Sequence, residues 1–431
     1  MDVPLLPYGA LTSKPYAFQA RPWELRHAES IDVSDGVGSN IRVDFKETEV
    51  MRVLPRENMD INSEWIHDKA RFSYDGLKRQ RLDKPYVSTP AAEGGASLAP
   101  VTWPQAFKVV VEQMQSRPTT FVVGRGVDLE TAVAVRDLAL RMGNARVFRE
   151  SGGSGEDYTN HLTLTDVDDA DVILLVGLNP RFEATMLNVR MRARYLQGGL
   201  TVGTVGAPVN LTYDTENLGL TPATLVEIAK GKHPFSKVLA GAEKPLILYG
   251  SAVLGREDAA SVVSILKNLN KLTKAGDAAD CVHQVSSHAN DMGLNALAVD
   301  SLPTAPEDRE GEVFYCVDLS DSSLVPELKA AGKTVVYQGT HGDENLAGSD
   351  VLLPGATFVE KEGTYVNTEG RPQRSAKVYP PPGLAREDWK VIRALGQFAG
   401  VELPYSDADE MQERVHTLVP YRMDEITPST V

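Results

Sequence analysis

Cysteine is nearly missing: 431 residues carry only Cys281 and Cys316. Two thiols in a chain of this length exclude a disulfide framework and argue against an oxidising compartment. Neither has a partner at metal-ligand spacing, so both are expected as small buried hydrophobes. Long apolar runs are also missing. DVILLVG (171–177) and KPLILYG (244–250) are of strand length, so no membrane-spanning helix is expected. Basic charge is short as well: 44 Lys and Arg against 59 Asp and Glu leave a net charge of −15, which opposes nucleic-acid or anionic-lipid partners. The locally basic stretch from Lys69 to Arg81, with Arg71, Lys78 and Arg79, reads as a solvated or subunit-facing surface. Residues 3–23 hold Lys14 and Arg21 and no acid, but Pro4, Pro7, Pro15 and Pro22 forbid an amphipathic targeting helix.

What is present is an ordinary globular composition, 42% hydrophobic and 24% charged, enough for two or three domains. Apolar strand-length runs alternate with helical patterns. TTFVVG (119–124) precedes a helix over 129–142 that Asp128 can cap; ARVFR (145–149), DVILLVG, a helix over 183–196 and LTVGTV (200–205) follow. A second set comprises KPLILYG, a helix near 257–272, EVFYCVDL (312–319), a helix near 324–331, TVVYQG (334–339) and DVLLPG (350–355). This alternation predicts an α/β chain with largely parallel sheets. The expected divisions are an extended segment at 1–27, a small domain at 28–90, a Pro/Ala/Gly-rich linker at 90–100, α/β domains at 101–225 and 240–400, and a polar, surface-wrapping tail at 401–431. Trp23, Trp65, Phe72 and Tyr74 are the expected packing centre of residues 20–82.

ESIDVSDGVGSNIRV (29–43) and VLPRENMDINSEWIHDKARFSYDGLKRQRL (53–82) resemble the cluster-binding segment of the molybdopterin oxidoreductases. In that family four cysteines are separated by two, three and about twenty-seven residues. Asp32, Asp35, Ser39 and His67 stand at that spacing here. The wording of residues 6–41 and 60–82, of DADVILLVGLNPRFEATMLNVRMRARYLQGG (169–199) and of GSDVLLPGATFVEKEGTYVNTEGRPQRS (348–375) is similar to the large iron–sulfur subunit of respiratory complex I, NADH:ubiquinone oxidoreductase. The resemblance implies a molybdopterin oxidoreductase-like fold, and Leu6 takes the place of a further cluster cysteine. It also implies a scaffold subunit on the matrix side of the mitochondrial inner membrane, or on the cytoplasmic face of a bacterial plasma membrane. The expected partners are a separate iron–sulfur chain matching the family's N-terminal half, and other hydrophilic subunits. No cofactor is expected on this chain, because a carboxylate pair, a hydroxyl and an imidazole are a poor substitute for thiolates; iron–sulfur clusters and FMN would sit on the partners. Tyr8, Lys14, Tyr16, Phe18, Arg21 and Trp23 form the expected docking seam, kept extended by prolines.

Other features are weighed against catalysis. Gly124-Arg125-Gly126 and Ser151-Gly152-Gly153-Ser154-Gly155 could cradle phosphate, but neither completes a dinucleotide fingerprint, so ordinary turns are expected. The run 360–371 approaches the pterin in active relatives by resemblance; a hairpin on Gly363, Asn367 and Gly370 explains it structurally. His283, His288 and His341 are expected at the surface. A formate dehydrogenase-type molybdopterin enzyme and a nucleotide- or pterin-binding module are the alternatives to a scaffold.

Overall fold

The structure, a computed structural model, describes residues 12–90, 96–151, 162–274, 280–303 and 309–419. Leu6, Tyr8 and the glycines of the 151–155 turn lie outside them. The apolar runs become two sheets. A seven-stranded sheet is ordered Ala96–Pro100, Tyr86–Pro90, Val351–Pro354, Thr334–Gly339, Val313–Val317, Thr119–Val123 and Ala145–Arg149. Its last five strands pair in parallel, and the first two add antiparallel at one edge. A five-stranded, wholly parallel sheet is ordered Glu216–Gly219, Thr201–Val205, Val172–Val176, Pro245–Tyr249 and Val282–Gln284. Val172–Val176 and Pro245–Tyr249 are buried at every position, as strands covered on both faces by helices should be.

Sheet membership does not follow chain order, whereas the sequence suggested consecutive domains at 101–225 and 240–400. The five-stranded unit is inserted between Ala145–Arg149 and Val313–Val317, which lie two strands apart in the seven-stranded sheet. Chain direction therefore returns to the first core after residue 309, and Val313 pairs with Thr119 in register. The segment 90–100 is likewise more than a linker: Tyr86–Pro90 and Ala96–Pro100 form an antiparallel pair.

Helix ends follow local chemistry. The Asp128 carboxylate accepts the Thr131 N–H at 2.9 Å, and Gly143, at φ 75°, closes helix Leu129–Met142. The expected 183–196 helix is interrupted at Ala184, giving Pro180–Glu183 and Thr185–Leu196. The Glu183 side chain turns back to the Asn179 N–H and across to Ser251, which holds that break in place. The tail differs from expectation. Asp407 caps a helix Ala408–Leu418 whose Met411 and Val415 are wholly buried, and Arg414 pairs with Asp137 on Leu129–Met142 at 2.7 Å.

The N-terminal domain is an antiparallel sheet, Arg26–Ile31, Asn40–Lys46 and Glu49–Pro55. Its core is aliphatic: Ile41, Val43, Val50, Val53, Ile66 and Ala70 pack with Val359 and Tyr379 of the body, and Tyr74 joins the rim. Trp23, Trp65 and Phe72 are exposed instead, because the sheet's inward positions are filled by β-branched residues. Cys281 and Cys316 are buried and free, on or beside strands, as expected.

Candidate functional site

Asp32 follows strand Arg26–Ile31, Ser39 precedes Asn40–Lys46, and the Asp32 N–H donates to the Ser39 carbonyl at 2.8 Å, closing the 32–39 loop. The loop is pressed into the body. A Cβ on Gly36 would meet the Ser286 carbonyl, Gly38 sits at φ 69°, and the Gly36 carbonyl accepts the Thr368 N–H at 2.7 Å. The second arm is set by Asn62, whose Oδ1 accepts the Asn40 N–H and whose Nδ2 reaches the carbonyls of Arg56 and Trp65. That arm ends in helix Asp68–Phe72, capped by His67.

The two arms bring Asp32, Asp35 and His67 together. The His67 side chain is 7% exposed, and its Nε2 lies 2.9 Å from Asp32 Oδ2 and 3.3 Å from Asp35 Oδ2. Each carboxylate has its other oxygen tethered to the backbone: Asp32 Oδ1 accepts the Ser34 N–H and Asp35 Oδ1 the Val37 N–H. Burial disfavours a charged ring, but the two carboxylates outweigh it and push His67 up to about 10. His67 Nδ1 lies 3.2 Å from the Ala70 N–H at the start of helix Asp68–Phe72, while Nε2 faces the two carboxylates. Ser39 is wholly buried and contributes its carbonyl; among the described residues its hydroxyl has no hydrogen-bond partner.

The other flagged residues are mostly structural. Arg125 turns inward and pairs with Asp291 at 2.5 and 2.7 Å, while a Cβ at Gly124 would meet the Asp318 carbonyl. Run 360–371 supplies the first strand, Thr364–Val366, and the turn at Asn367–Gly370 of a hairpin completed by Pro372–Arg374. Its Lys361 is a site that local sequence did not reveal. The buried ammonium lies 2.5 Å from Asp128 and 2.7 Å from Asp388, and Gln338 holds the second oxygen of Asp388. Burial would strip the ammonium of its proton, but these carboxylates hold it well above the usual lysine range. Beside it Arg81 forks onto Glu360 at 2.5 and 2.6 Å. The histidines depart from expectation: His283 is buried on a strand, and His288 and His341 are half-buried, with His341 Nε2 at the Gly76 carbonyl.

Residues 81–398 match the molybdopterin oxidoreductase family. The chain belongs to that family. Within it, the molybdopterin oxidoreductase chain described here is similar to the NADH-ubiquinone oxidoreductase 75 kDa subunit of Reclinomonas americana, 40% identical across 97% of this chain and 64% of that protein. It is also similar to the mitochondrial NADH dehydrogenase [ubiquinone] iron-sulfur protein 1 of Solanum tuberosum, at 41% over 99% of this chain and 59% of that one. The mitochondrial NADH-ubiquinone oxidoreductase 78 kDa subunit of Candida albicans is 40% identical over 99% and 60%. The chain spans about three-fifths of the length of these curated relatives. Among solved structures, acetylene hydratase from Pelobacter acetylenicus superposes with TM-score 0.66 at 13% identity, covering 92% of this chain and 73% of that one, which supports the molybdopterin oxidoreductase fold.

Residues 25–75 match the NADH-ubiquinone oxidoreductase NDSU1/NuoG-like 4Fe-4S domain. This corrects the expectation that no cofactor belongs to this chain: the match points to an iron–sulfur cluster here. The side chains at the loop do not fit one in the usual way. Such clusters are held by thiolates, and this loop supplies two carboxylates and an imidazole; Cys281 is buried near Asn270, and Cys316 lies inside the seven-stranded sheet. No reaction step is therefore routed through a cluster at this loop.

Proposed function

We propose that this chain serves as a hydrophilic subunit of NADH:ubiquinone oxidoreductase, packing against an iron–sulfur polypeptide and other hydrophilic subunits of that complex, on the matrix side of the mitochondrial inner membrane. The observation that carries the reading is identity near 40% with subunits of that enzyme across nearly all of this chain. The mitochondrial names of two of those relatives support the location. Among the described residues no helix is long and apolar enough to cross a membrane, so attachment would come through partners. A scaffold role is supported by Lys361, whose buried ammonium is committed to Asp128 and Asp388 rather than offered to a ligand.

The docking seam assigned to this role is the segment before the first strand. Phe18, at φ 65°, is fully exposed and Trp23 is 78% exposed, an unusual display of aromatic surface. Lys14 and Arg21 are exposed beside them, and the Arg21 guanidinium lies 5.9 Å from the Trp23 ring. Tyr16 has an anchoring part, with the Arg52 guanidinium 4.7 Å from its ring. The test is Phe18→Asp with Trp23→Asp, both outside the folded core. Assembly into the complex should fall sharply while the melting curve of the isolated chain stays unchanged; normal assembly would place the contact elsewhere.

A further inference from the structure

The 32–39 loop and the His67 arm belong to a domain type that holds a metal cluster, yet their donors are carboxylate oxygens and an imidazole nitrogen, with no thiolate. We propose that Asp32, Asp35 and His67 bind one first-row divalent cation, with Zn2+ as its representative, through two carboxylate oxygens and the imidazole Nε2. Three features of the geometry support this assignment.

The first is spacing. A cation about 2.0–2.2 Å from each of three ligands sets neighbouring ligand atoms roughly 3.0–3.5 Å apart. Nε2 stands 2.9 and 3.3 Å from the two carboxylate oxygens, and all three ligand atoms lie within 4.8 Å of one another. The second is orientation. Backbone N–H groups of Ser34 and Val37 hold Oδ1 of each aspartate, so Oδ2 of each is turned toward the ring, as outer partners aim metal ligands. The third is an unmet charge. Asp32 and Asp35 are each 4% exposed, and among the described residues Asp35 Oδ2 has no hydrogen-bond partner although it faces the ring nitrogen. One Nε2 proton serves one carboxylate at a time, and a ring carrying a single positive charge leaves the carboxylate pair one negative charge in excess. A cation at the same point satisfies both.

Imidazole with carboxylates suits zinc, manganese or ferrous iron as a single ion, whereas a four-iron cluster calls for sulfur. Binding replaces the Nε2 proton of the imidazolium with the metal, releases that proton to solvent and leaves a neutral ring protonated on Nδ1.

The test is a calorimetric titration of the full chain with Zn2+ after chelator treatment, with melting curves recorded in parallel. One site per chain is expected, with a dissociation constant of about 10 µM or below and a higher melting temperature when zinc is bound. Asp35→Asn and His67→Gln should each weaken binding at least about tenfold. Absence of saturable binding to the unsubstituted chain overturns the proposal whatever the variants do. Unchanged binding in the Asp32→Asn, Asp35→Asn, His67→Gln triple variant overturns it too, by placing the zinc elsewhere. So does a stoichiometric four-iron chromophore after anaerobic reconstitution with iron and sulfide, because that cluster would occupy the same loop.

Discussion

A buried charge is tolerated where its partners are fixed first, and Lys361 illustrates this. Asp128 is already committed as a helix cap and Asp388 is held by Gln338, so the ammonium enters a site whose carboxylates cannot turn away. None of this was legible locally, since Asp128 lies far upstream of Lys361 and no short spacing links them. By contrast, the capping role of Asp128 was legible, because an acid just ahead of a periodic apolar run carries its own signal. His288 shows how tertiary context overrides a loop's polar look. It sits beside Arg125, Asp291 and, at longer range, Lys69, and burial followed by the Arg125 charge lowers it from 6.5 to about 4. The unfolded chain therefore takes up a proton near pH 6.5 that the folded chain refuses until about pH 4, so stability falls as pH falls through that window, by up to about 3 kcal/mol. Urea unfolding at pH 7 and pH 4.5 should show this loss, and His288→Asn should flatten that part of the profile. An equal slope in the variant would assign it to other groups.

At the scale of elements, period and caps were readable wherever a segment buries one whole face. Helix Leu129–Met142 and the strands Val172–Val176 and Pro245–Tyr249 are of this kind. Helix Ala408–Leu418 was missed although its signals exist: Met411, Val415 and Leu418 recur at helical spacing, and Asp407 with Glu410 marks the start. Dense charge around a narrow apolar stripe hid it. Met411 is wholly buried and joins the same core as Leu138 and Tyr405, so Met411→Ala should cost about 2–4 kcal/mol in denaturant unfolding. A loss under ~0.5 kcal/mol, the range of surface substitutions, would mean that the helix merely lies on the body. The aromatic residues of the N-terminal domain failed in the opposite sense. Large apolar side chains were assigned to the interior by size alone, but Ile41, Val43, Val50 and Val53 already supplied an inward face.

At the scale of the molecule, alternating strands and helices identified parallel α/β sheets, while the insertion of one sheet unit within another was not legible. A parallel strand records in its sequence that it is buried, and says nothing of which neighbour it pairs with. The cluster loop shows the same division. Spacing located Asp32, Asp35 and His67, and the fold brought them together, but Ser39 gave its backbone to the loop.

The most direct measurement is native electrophoresis of gently solubilised membranes from the source organism, with the chain carrying a C-terminal affinity tag and the gel stained for NADH oxidation. The account expects the tagged chain to migrate in the large NADH-oxidising band and to bring iron–sulfur subunits with it on capture. A tag found only with the free 46.9 kDa chain, with the NADH-oxidising band intact and untagged, would contradict it.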